Sequence, residues 1–122
     1  MRALIVGGVL LGAMTVFNPV QAAELDVSKC VFPAQGPTVP DGNTASKDEM
    51  VAAGGAVKAF VAENEKGLAC LDQVKAGFVA EPMTPEQDAQ FTGTYNAAVD
   101  AATKVGESWN VAVRAFKARN PG

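Results

Sequence analysis

The sequence predicts an all-α fold: an antiparallel, coiled-coil-like two-helix hairpin with a proline-rich N-terminal arm that is stapled to it by one disulfide. Three observations support this prediction. Two segments of similar length repeat apolar residues at alternating steps of three and four, which is typical of packed helices. Each segment starts with a helix-capping sequence, and two cysteines follow a secretion signal.

Residues 1–22 have the pattern of a secretory signal peptide. Arg2 supplies a positive charge, residues 3–16 are nearly all apolar or glycine, and residues 20–22 place small side chains where signal peptidase recognises them. The apolar run is shorter than a membrane-spanning helix requires. We therefore expect cleavage after residue 22 and a soluble product in the periplasm or outside the cell. An uncleaved N-terminal anchor is the alternative.

The charge of the chain argues against several classes of partner. The full chain carries a net charge of −3, and removal of the signal takes away Arg2 and leaves −4. The basic residues are scattered and form no basic face. We therefore expect no binding to nucleic acid and none to a membrane after signal cleavage.

Residues 23–45 are expected to form an extended arm, because prolines recur there every three or four residues, at positions 33, 37 and 40. Cys30 in this arm and Cys70 are the two cysteines of the chain, which predicts a disulfide in a secreted protein. A bridge between two chains and a redox-active thiol pair are the alternatives. The side chains expected to cover apolar surface of the hairpin are Val31, Phe32 and Val39.

The first helix is predicted over residues 46–76, and it begins with a capping box formed by Ser46 and Glu49. Two members of its apolar stripe, Asn64 and Gly67, are poor core residues. A pair of glycines at 54–55 softens the helix or lets another backbone approach closely. The stripe consists of Met50, Ala53, Val57, Phe60, Asn64, Gly67, Leu71 and Val74.

The second helix is predicted over residues 85–118, so that the hairpin domain spans residues 46–119. Thr84 and Gln87 form its capping box, and Pro85 occupies the first turn, where a proline is tolerated. Its unbroken stripe consists of Phe91, Tyr95, Ala98, Ala102, Val105, Trp109, Ala112 and Phe116.

The connecting loop, residues 77–84, contains an apolar cluster of Phe78, Val79 and Met83. If these side chains are exposed, the loop is a candidate partner-binding tip. In the alternative, they seal the end of the hairpin core.

The sequence lacks the residues of common catalytic sites. It has no histidine, so no Ser-His or Cys-His pair can form, and its carboxylates are scattered over helix surfaces. Residues 41–43 start like a calcium loop, but the later oxygen ligands are missing. We therefore expect no enzyme, no catalytic residue, no metal site and no cofactor.

Two resemblances add to this interpretation. The first rests on Cys30…Pro33…Pro37-Thr38-Val39-Pro40-Asp41-Gly42, Ala45-Ser46…Met50…Val57-Lys58…Phe60…Cys70-Leu71, Tyr95-Asn96-Ala97-Ala98-Val99-Asp100 and Trp109-Asn110…Val113-Arg114-Ala115-Phe116-Lys117. Over most of the mature chain, these segments resemble small uncharacterised exported proteins of proteobacteria, which implies a compartment and a helical fold but no activity. The second is Met83-Thr84-Pro85-Glu86-Gln87, which is similar to the Leu-Thr-x-x-Gln motif of Spy-type periplasmic chaperones. The chain has one copy of this motif where that family carries two.

Our leading hypothesis is a non-enzymatic exported protein that acts through protein–protein contacts in the cell envelope. The first alternative is a periplasmic chaperone or inhibitor that holds client proteins. The second is small-ligand binding between the helices, in a cavity lined by Phe60, Tyr95 and Trp109. Apolar faces as wide as these are also compatible with a homodimer.

Overall fold

The structure, a computed structural model, describes residues 25–121, so the expected signal peptide at residues 1–22 lies outside the described residues. The described chain contains two helices, α1 (Lys47–Ala76) and α2 (Pro85–Arg119), and no strand. Asn64 of α1 contacts Ala98 of α2, and Gly54 faces Trp109, so early residues of α1 meet late residues of α2. The predicted all-α hairpin is confirmed.

Both helices begin with complete capping boxes, which explains why they start where they do. The Glu49 N–H donates to the Ser46 hydroxyl at 3.1 Å, and the Ser46 N–H donates to the Glu49 carboxylate at 2.6 Å. Thr84 and Gln87 exchange the same two bonds at 3.0 and 3.2 Å. Each reciprocal pair satisfies backbone donors that the first helical turn leaves without a partner.

The two apolar stripes form the seam between the helices, as the heptad spacing predicts. On α1 all the stripe residues but Val74 are buried, and Val74 is half-buried. On α2 only part of the stripe is buried, while the other members are half-buried. The second helix is therefore covered less completely than the first. Its buried members are Phe91, Ala98 and Ala112.

Asn64, a polar member of the seam, is only 3% exposed. Its side-chain Nδ2 donates to the backbone oxygen of Ala98 at 2.8 Å. Because a buried amide without a partner is costly, this bond favours one register between the helices. Asn96 and Asn110, which lie near the stripe of α2, are exposed.

The predicted disulfide between Cys30 and Cys70 is present, with the two Cα atoms 5.4 Å apart. Beside it, the Phe32 ring lies directly on Gly67, where a Cβ would collide with the ring. The arm crosses α1 at this point, which explains why the seam has a glycine there. Leu25, which the sequence analysis did not single out, is 3% exposed in the same core as Cys30, Leu71 and Phe91.

The prediction that Val31 covers apolar surface is wrong, since this side chain is 73% exposed. Successive side chains of an extended segment point to opposite sides, so when Phe32 faces the hairpin its neighbour faces solvent. The other two predicted residues do contact the hairpin. Phe32 packs against the core around Leu71, and Val39 packs against a second core of Ala45, Met50 and Ala112.

The arm ends in a turn that lies on α2. A Cβ on Gly42 would collide with the backbone carbonyl of Ala112, so only glycine permits this approach. Arg119, the last residue of α2, donates to the backbone oxygens of Gly42 and Ala45. These bonds attach the C-terminal end of α2 to the turn that precedes α1.

We predict that Gly67→Ala lowers the free energy of unfolding by about 1–2 kcal/mol, because the added Cβ displaces the Phe32 ring. The matched control is Gly93→Ala in α2, where nothing lies within 4 Å of an added Cβ. This control should gain about 0.5–1 kcal/mol from helix propensity. Urea denaturation of both oxidised variants, followed by circular dichroism, measures the difference. Equal stabilisation by the two substitutions would contradict the contact between Phe32 and Gly67.

We also predict that Asn64→Ala lowers the free energy of unfolding by about 2 kcal/mol, because it removes a buried hydrogen bond and leaves a void. The control Asn96→Ala removes an exposed amide and should change stability by less than about 0.5 kcal/mol. The same denaturation experiment measures both. A loss at Asn64 no larger than the loss at Asn96 would argue against a structural role for the bond to Ala98.

Candidate functional site

The arm covers one side of the helix seam, and the other side carries an open apolar groove. Two depressions of about 610 and about 330 Å³ share Gly54, Lys58 and Trp109 and are therefore continuous. We call this surface the Trp109 groove. Its apolar lining comes from both helices and includes Met50, Val51, Val61, Trp109, Val113 and Phe116.

The depth of the Trp109 groove results from the glycine pair on α1. A Cβ at Gly54 would lie 3.1 Å from Cζ2 of Trp109, so the absence of a side chain there lets the indole lie against α1. Nothing lies within 4 Å of a Cβ built on Gly55, which leaves the neighbouring backbone uncovered. Val51, one turn earlier, is 67% exposed. The groove is therefore an open surface rather than an enclosed cavity.

The charged residues around the Trp109 groove are mainly positive, although the chain as a whole is negative. Lys47 and Lys117 lie at one end and Lys58 lies in the middle, while Glu65 is the one carboxylate among the described lining residues. Within residues 25–121 the structure has one ion pair, between Lys66 and Glu63 at 3.5 Å, so the three groove lysines are not in salt bridges. They remain able to pair with an anionic partner.

The apolar loop cluster is divided by the fold. Phe78 and Met83 are half-buried and pack against the core of Leu25, Cys30, Leu71 and Phe91. Val79 is 87% exposed. The three residues that the sequence grouped as a possible partner-binding tip therefore do not form one exposed surface.

The three aromatic residues expected around a ligand lie in different settings. Trp109 lines the open groove. Phe60 is buried and lies on the other side of the hairpin, in a depression that it lines together with Phe32 and Pro33 of the arm. Tyr95 stacks on Phe91, with their ring centroids 5.9 Å apart, next to the core near the disulfide. The structure thus places these side chains along the hairpin rather than around one cavity.

Other chemical features of the described residues lie away from the groove. The Ser28 hydroxyl, followed by its backbone N–H, donates to the Asp26 carboxylate, and these bonds hold the pKa of Asp26 below its usual value. Within residues 25–121, no three or more histidine, cysteine or acidic side chains are grouped so that they could hold a metal ion. None of the described helices is long and apolar enough to span a membrane.

The fold and the groove define a small helical hairpin that is stapled by a disulfide and apolar on one open side. No family model matches this chain, and no curated protein or solved structure resembles it significantly. The two resemblances noted in the sequence therefore remain predictions.

The sequence analysis placed Trp109 in the seam and did not identify the groove beside it. The signal was nevertheless present in the row of residues next to the α1 stripe, where Val51, Gly54 and Val61 recur at helical spacing. Periodicity assigns such a row to the edge of the packed face, and it does not indicate whether the arm or solvent covers that edge.

Proposed function

We propose that the protein is a non-enzymatic, exported binding protein that acts through protein–protein contacts in the cell envelope, and that the Trp109 groove is its contact site. The observation that carries this proposal is an exposed apolar surface on a covalently stapled scaffold. Val51 is 67% exposed, and the half-buried Trp109 lines the groove beside it. Exposed apolar surface of this kind is typical of interaction sites.

The open shape of the groove favours a macromolecular partner over a small ligand. Small-molecule sites bury most of the ligand within a concave cavity. A small molecule seated beside Val51, which is 67% exposed, would keep much of its own surface in water. A protein surface can cover the whole groove and exclude water from its centre.

We further propose that the protein is exported and cleaved after residue 22. The Cys30–Cys70 disulfide supports this proposal, because structural disulfides persist mainly in oxidising compartments. Cell fractionation should find the protein outside the cytoplasm. Intact-mass analysis should give a chain that starts at Ala23 and lacks the two thiol hydrogens. A cytoplasmic protein that retains residues 1–22 would contradict export.

The contact site is tested by placing a photoreactive amino acid at single positions in the protein expressed in its native host. We expect Val51 and Val113, in the groove, to give discrete crosslinked products with another protein. Val79 and Val111 are matched controls, because they are 87% and 58% exposed and lie outside the groove. Crosslinks of equal yield at all four positions, or from the controls alone, would overturn the assignment of the groove.

A further inference from the structure

We infer that the partner inserts an amphipathic α-helix with acidic flanks into the Trp109 groove and thereby completes a three-helix bundle. This inference rests on the proposed function and specifies the chemistry of the partner at that same site. It is supported by the shape of the groove, by an uncovered glycine and by the charges along its rim.

The shape fits a helix. The groove lies between two antiparallel helices and extends on α1 from Lys47 to Glu65, which corresponds to about 27 Å of helix. A third helix laid along two packed helices can bury an apolar stripe against both, which is a recurring mode of peptide recognition. A partner helix of about 18 residues would span the groove.

Gly55 supports a close approach by another backbone. Glycine within an exposed helix is unfavourable relative to alanine, but it leaves the helix backbone open to a close neighbour. At Gly67 of α1 such a neighbour lies inside the chain, because a Cβ there would collide with the Phe32 ring. At Gly55, as at Gly93 and Gly106 of α2, a Cβ would meet nothing among the described residues, but of these three glycines only Gly55 lines the Trp109 groove. A partner helix that crosses α1 at this position could approach the uncovered backbone closely.

The charges around the groove indicate which residues lie on either side of the apolar stripe of the partner helix. Three lysines, Lys47, Lys58 and Lys117, surround apolar residues, whereas Glu65 is the single described acid in the lining. A second copy of this chain would bring the same lysine-rich surface against itself, which is unfavourable. Glutamate or aspartate residues on either side of an apolar helix stripe would instead pair with these lysines.

The test uses three designed helical peptides of about 18 residues without tryptophan. They share a leucine stripe and carry glutamate, glutamine or lysine on both flanks. Trp109 is the single tryptophan of the chain and lines the groove, so its fluorescence reports binding at this site. We expect the glutamate peptide to bind about tenfold more tightly than the glutamine peptide, and the lysine peptide to bind most weakly. Added salt should reduce these differences.

Two variants test the charge and the close approach. Lys58→Glu should lower the affinity for the glutamate peptide and raise the affinity for the lysine peptide. The control Lys66→Glu, outside the groove lining, should change both affinities only slightly, through its effect on the net charge. Gly55→Leu should weaken binding at least about tenfold by occupying the crossing point, while the folded state is retained. The control Gly93→Leu, also in open space on the other helix, should leave binding unchanged.

Equal affinity of the three peptides, or no response to Lys58→Glu, would overturn the inference. So would a dimer in sedimentation experiments that Val51→Glu dissociates, because a second copy would then occupy the groove. If the peptides fail to bind while crosslinks from Val51 persist, the inference fails and the proposed function stands. If those crosslinks are absent, the proposed function fails as well.

Discussion

The disulfide between Cys30 and Cys70 is the constraint on which the rest of the structure depends. Two packed helices bury little apolar surface on their own, and a covalent staple is one way in which a scaffold with a small core is stabilised. Closing a loop between residues 40 positions apart restricts the unfolded chain and stabilises the fold by roughly 4 kcal/mol in the chain-entropy model. The bond also holds the Phe32 ring on Gly67. An extended arm without regular hydrogen bonds thereby becomes part of the core.

The arm makes the two sides of the hairpin different. On one side it occupies the surface beside the seam, from Phe32 over Gly67 to the turn at Gly42, where Arg119 secures its end. On the other side the apolar residues beside the seam have no cover within the described chain, and they form the Trp109 groove. Glycines are found on both sides of the hairpin. On one side they let the arm pack closely, and on the other they leave the backbone of α1 exposed in the groove. A rigid, one-sided scaffold of this kind is preorganised for binding.

Much of the fold could be predicted because it depends on local sequence. The capping boxes at Ser46 and Thr84 and the heptad stripes specify two helices and the faces that they bury. Leu25 and Arg119 could not be assigned in this way, since their partners are distant in sequence. Of the candidate site, the sequence indicated only the glycine pair at 54–55, as a place where another backbone can approach α1 closely. The groove itself was not, because its exposure depends on where the arm lies.

The sequence by itself therefore determined the two helices and their seam, since these follow from periodicity and caps, and its two thiols allowed one pairing within a single chain. Only the tertiary structure decided which side of the seam the arm covers. A heptad stripe is flanked by similar rows on both sides, and an extended arm can reach either. Contacts between distant residues make the choice: Phe32 fits on Gly67, and the turn at Gly42 fits on Ala112. That choice leaves Trp109 on the open side.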